Sequence, residues 1–131
     1  MDAGGRTGAP GAARTDRLLV EILPKRRPGI LVVTLDGELD HDTAEPLRKA
    51  LDAASGAVRV VVDCSGLRFC DSTGLNILLR TRLRLLAEGG RVDLAGLRPP
   101  VDRVFEITGA LRLFPVYEDA GTALGGNPRP A

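Results

Sequence analysis

The run Phe69-Cys70-Asp71-Ser72-Thr73-Gly74-Leu75 holds the densest chemistry in the chain. A serine hydroxyl stands beside a carboxylate, two residues before a glycine. The run lies where a valine-rich stretch gives way to a long helical pattern. A hydroxyl at the mouth of a helix is open to solvent, and the helix dipole favours added negative charge there. Reversible phosphorylation is the chemistry that uses such a place, because a phosphate adds roughly −1.5 to −2 charge near neutral pH. Ser72 is the expected acceptor and is read as part of the helix cap. Thr73 falls inside the first turn, where its hydroxyl is less exposed. A second polar cluster, Gly37-Glu38-Leu39-Asp40-His41-Asp42-Thr43, also joins the end of a strand to the start of a helix. Sites in open α/β sheets gather outside the carboxyl ends of strands, so the two clusters are expected on one sheet edge.

Other chemistries lack their residues. Ser72 has only His41 as a candidate base, and no motif joins the two. A lone histidine beside two acids can titrate near neutrality, but a solvated loop residue is the simpler reading. No phosphate-binding Gly-x-x-x-x-Gly-Lys loop is present. One histidine and no Cys-x-x-Cys pair leave a metal without evident ligands. Cys64 and Cys70 read as two reduced thiols. Non-enzymatic function without a cofactor is the expectation. Arg80, Arg82 and Arg84 read as a solvated helix face.

Composition sets the scale. The chain has 131 residues, 44% of them apolar, 27% charged and 3% aromatic. That fits one domain with a core of Leu, Val, Ile and Ala. A formal net charge of +1 argues against direct nucleic-acid binding. No apolar run approaches the roughly 20 residues of a membrane span, and the N-terminus lacks the apolar core of a signal peptide. A cytoplasmic, non-membrane protein is expected. Residues 1–16 and 125–131, small and polar, are expected to be disordered tails around a domain at 17–124.

The elements that must position the two clusters follow from periodicity and punctuation. Leu18–Leu23 and Ile30–Leu35 read as a hairpin across the Pro24–Gly29 turn, with Gly37 ending the second strand. A helix begins near Thr43, with Pro46 in its first turn and Ala44, Leu47, Leu51 and Ala54 inward. Val58–Val62 suits a central strand. The helix after Ser72 carries a stripe of Leu75, Leu78, Leu79, Leu83 and Leu86 and stops at Gly89-Gly90. Arg91–Ala95 is a further strand. Pro99-Pro100 opens a third helix, Leu111–Val116 is a last short strand, and Tyr117–Leu124 a final helical turn or two. The fold class is α/β: a mixed sheet of four to five strands with about four helices.

Gly37-Glu38-Leu39-Asp40, then Asp42-Thr43-Ala44, Asp71-Ser72-Thr73-Gly74-Leu75 and Gly89-Gly90 together resemble the STAS domain. They are most similar to the bacterial anti-sigma factor antagonists of sporulation and stress regulons, over about Leu18 to Leu124. The resemblance implies partner switching. Such a protein binds an anti-sigma factor that is also a serine kinase, and so frees a sigma factor. The kinase phosphorylates the serine matched here by Ser72, the modified form lets go, and a phosphatase resets it. On the same ground Asp71, Thr73, Gly74, Asp40, Asp42 and Thr43 are expected to meet the partner. The alternative within the family is a scaffold or accessory subunit of another signalling or lipid-transport assembly. Ser72 after Asp71 favours the antagonist. A small nucleotide-binding protein or hydrolase stands as the third class, disfavoured by the missing phosphate loop.

Overall fold

The computed structural model describes residues 11–23, 29–54, 56 and 58–125. Residues 24–28 of the expected hairpin turn, the first ten residues and residues 126–131 lie outside them.

Six strands form one sheet in sequence order: β1 (Gly11–Arg14), β2 (Leu18–Ile22), β3 (Ile30–Leu39), β4 (Arg59–Cys70), β5 (Arg91–Ala95) and β6 (Val116–Tyr117). β1, β2 and β3 pair antiparallel, whereas β3 through β6 run parallel. The sheet is mixed, as expected, with one or two strands more. The helices are α1 (Glu45–Asp52), α2 (Ser72–Ala87), α3 (Val101–Ile107) and α4 (Ala120–Gly125). The larger core lies on the sheet face that carries α1, α2 and α3, with Val33, Val60, Val62 and Leu94 meeting Leu47, Leu51, Leu78 and Phe105. A smaller core on the opposite face joins Val32, Val61, Ala95 and Tyr117 to Ala123 of α4. β4, apolar on both faces, is the central strand the sequence implied.

Several expectations are corrected. Residues 11–14 are not a disordered tail: Gly11–Arg14 pairs with Leu19–Ile22, because its backbone completes the open edge of β2 even with small side chains. Gly125 closes α4 rather than opening a tail. Gly37 does not end β3. It sits inside the strand at φ +121, next to a bulge, where a Cβ would lie 2.0 Å from the Arg17 carbonyl oxygen. β4 likewise continues past Val62 to Cys70, so the expected loop before Ser72 is strand. On α2 the inward residues are Gly74, Leu75, Leu78, Thr81 and Leu85, while Leu83 and Leu86 are 62% and 47% exposed. The period begun at Leu75 and Leu78 returns at Leu85, and the other two leucines fall beyond it. Leu111–Val116 is not one strand. Ala110–Arg112 form a 3-10 turn and only Val116–Tyr117 pair with β5, since Pro115 has no N–H to continue a ladder. Among the described residues no helix is long and apolar enough to cross a membrane.

Candidate functional site

Parallel pairing of β3 and β4 builds the site. Leu39 and Cys70 are register partners, so Asp40 and Asp71 leave the sheet side by side. The Asp71 N–H donates to the Leu39 carbonyl at 3.1 Å, which locks one exit to the other. Both polar clusters therefore share one edge, as their positions after strands implied.

Asp71 is the N-cap of α2. Its extended backbone turns the chain, and its Oδ1 accepts from the N–H groups of Thr73 (2.9 Å) and Gly74 (3.2 Å). The cap is thus a carboxylate, not the Ser72 hydroxyl. Ser72 is the first helical residue and is exposed; Thr73 is half-buried and Gly74 buried. A Cβ on Gly74 would lie 2.5 Å from Leu39 Cγ and 3.0 Å from Cys70 Sγ, so the helix start rests directly on the ends of both strands. Buried Gly74 thus has a packing role at the helix start.

The Asp40 loop folds on itself. Asp40 Oδ1 accepts from the N–H groups of Asp42 (2.9 Å) and Thr43 (3.1 Å). The Thr43 hydroxyl donates to the Glu38 carbonyl at 2.7 Å and accepts from the Asp40 N–H at 2.9 Å. Thr43 is 1% exposed, and its hydroxyl braces the loop. Asp40 is half-buried; His41 and Asp42 are exposed. Arg17 donates to Asp40 Oδ2 at 2.6 Å and to Glu38 Oε1 at 3.0 Å. Its guanidinium holds the Asp40 carboxyl below the usual carboxylate range, helped by the two loop N–H groups and opposed by partial desolvation.

Two residues here escaped the sequence reading. Arg17 lay next to a segment read as a tail, and nothing local to it signals a partner more than twenty residues on. Phe69, one residue before the buried Cys70, is 47% exposed. Strand alternation gave no signal for it, since Arg68 and Phe69 are both exposed between the buried Leu67 and Cys70.

Burial disfavours the thiolate form of both cysteines. Burial raises the Cys64 thiol well above its ordinary value, and burial beside Asp71 pushes Cys70 up to about 12. Both are free cysteines. A groove of about 580 Å³ lies between α1 and α2, lined by His41, Thr73, Ile77 and Arg80 among others. Arg82 and Arg84 are not a merely solvated face. Arg82 donates to the Leu113 carbonyl (2.7 Å) and Arg84 to that of Leu51 (2.6 Å), which stitches α2 to its neighbours.

The model of the STAS domain matches residues 21–123, most of the chain. This chain belongs to the STAS domain family. The STAS fold seen here is also found in solved relatives. An anti-sigma factor antagonist from Mycobacterium paratuberculosis superposes with a TM-score of 0.73 at 31% identity, covering 86% of this chain and 95% of that one. The Bacillus cell fate determinant SpoIIAA, solved in its phosphorylated form, gives 0.65 at 26% identity over 80% and 96%. In sequence, an anti-sigma F factor antagonist of Paenibacillus polymyxa is 31% identical over 108 residues, 80% of this chain and 92% of the relative. Two of these relatives are anti-sigma factor antagonists by name, and the third has been solved in its phosphorylated form.

Proposed function

We propose that this chain is an anti-sigma factor antagonist that binds a serine-kinase anti-sigma factor, frees a sigma factor, and is switched off when that kinase phosphorylates Ser72. The exposed hydroxyl of Ser72 at the first residue of α2, beside the capping Asp71, carries the proposal. The named relatives support the antagonist role, and the phosphorylated relative supports a phosphate switch.

The local electrostatics favour release. Asp71 already takes the Thr73 and Gly74 N–H groups. A phosphate on Ser72 therefore finds the helix end largely neutralised and a carboxylate next to it. Its charge of roughly −1.5 to −2 is repelled by Asp71 when an interface removes the water between them. Exposed Phe69 and the Asp40 loop complete the surface around the serine. A phosphatase resets the cycle. In this reading the protein acts in the cytoplasm, by contact and without chemistry of its own.

The test is direct. Recover the kinase–anti-sigma partner by co-purification with the full chain, incubate with ATP, and map the phosphate by mass spectrometry. Modification at Ser72 is expected. Modification at Thr73 or elsewhere with Ser72 bare contradicts the assignment.

A further inference from the structure

We infer that Arg17, which precedes the residues matched by the family model, is a positioning residue that holds the Asp40 loop in the shape a partner meets. The inference rests on the antagonist reading and adds to it a control element from outside the family's core. Arg17 lies in the turn between β1 and β2, and its backbone is fixed on three sides. The Thr15 N–H donates to the Leu18 carbonyl at 2.8 Å, and the Thr15 hydroxyl accepts from the Arg17 N–H at 3.3 Å. The Arg17 carbonyl accepts from the Glu38 N–H at 2.9 Å, in the space that Gly37 leaves by having no Cβ.

From that fixed base one guanidinium spans three carboxylates. Nη1 reaches Asp40 at 2.6 Å and Glu38 at 3.0 Å, and Nη2 lies 3.8 Å from Asp42. Asp40 passes the constraint on, since its other oxygen receives the Asp42 and Thr43 N–H groups. The nearby Arg68 is engaged with Asp36 at 3.3 Å. Removing the Arg17 side chain leaves three like charges facing one another, and the loop loses the cation that aligns its central acid. A lysine restores charge but not the planar fork that serves two acids at once.

The experiment uses the full chain as wild type, Arg17→Ala, Arg17→Lys and Arg17→Glu. In the protein alone, amide hydrogen exchange at Asp42 and Thr43 is read by NMR. Exchange about tenfold faster is expected in Arg17→Ala, with amides of β4 unchanged. With the kinase–anti-sigma partner and ATP, initial rates of Ser72 phosphorylation are then measured. KM is expected to rise about fivefold in Arg17→Ala and further in Arg17→Glu, with kcat unchanged and Arg17→Lys in between. Wild-type exchange in Arg17→Ala, or an unchanged KM, overturns the inference. If no kinase modifies the wild-type chain, the antagonist reading fails, and the exchange measurement alone decides whether Arg17 holds the loop.

Discussion

Carboxylates, more than hydroxyls, organise the edge around Ser72. Asp71 caps α2 and Asp40 ties its own loop, so the serine is left exposed on a scaffold it does not support. That division was only half legible. Asp-Ser-Thr-Gly at a strand-to-helix junction marks a cap and a hydroxyl, but which oxygen takes the N–H groups depends on the backbone entering the turn. The Arg17 contact was not legible at all, because it joins residues distant in sequence through a side chain. It has a pH consequence. Hydrogen bonds from Arg17 lower the Asp40 pKa in the folded state. A depressed carboxylate contributes stability that is present above its ordinary value of 3.8 and is lost as pH falls through the lowered one. In an NMR titration, Arg17→Ala is expected to move the Asp40 midpoint upward. An unmoved midpoint would mean the ion pair does not persist in solution.

At the scale of elements, the junction of β3, β4 and α2 is where sequence and structure part most instructively. The helix after Ser72 and the strand before it were readable from a 3.6-residue period and a run of valines. The helix ends, at Ser72 and before Gly89, were readable as well, but the far end of the strand was not. Gly37 looked like a stop because glycine interrupts strands, yet here it accommodates the neighbouring turn inside β3. Gly74 looked like part of a contact surface, yet it is the point at which α2 lands on Leu39 and Cys70. Gly74→Val is therefore expected to overpack the junction and cost about 1–3 kcal/mol in urea unfolding. Gly125→Val, where a Cβ meets nothing within 4 Å, is expected to stay near wild type. Equal stability of the two variants would show that the helix start can shift to make room.

For the whole molecule, two faces of one sheet carry different duties. The face under α1, α2 and α3 holds the main core; the other is closed over its small core by α4. A buried charge secures that second face. Asp93, fully buried, accepts from Arg59 at 2.5 Å and from Arg91 at 3.2 Å, while its other oxygen has no partner among the described residues. Arg59 also donates to the Ala123 carbonyl of α4 at 2.7 Å and stacks over Tyr117. Asp93→Ala strands a largely buried guanidinium and is expected to cost about 3 kcal/mol in chemical unfolding; a loss within error of zero would mean that Arg59 finds water or another acceptor. The edge that bears Ser72 lies at the carboxyl end of the parallel strands, so the proposed phosphate there would change binding while both cores stay packed. On the proposed function, charge at Ser72 releases the partner from an intact fold. Titration calorimetry with the kinase–anti-sigma partner tests it on the unmodified chain, the Ser72-phosphorylated chain, Ser72→Ala and Ser72→Asp. Ser72→Ala is expected to bind like the unmodified chain, since Asp71 supplies the cap. The phosphorylated chain is expected to lose at least about tenfold in affinity, with Ser72→Asp in between because it carries less charge. Equal or tighter binding by the phosphorylated chain would contradict the account.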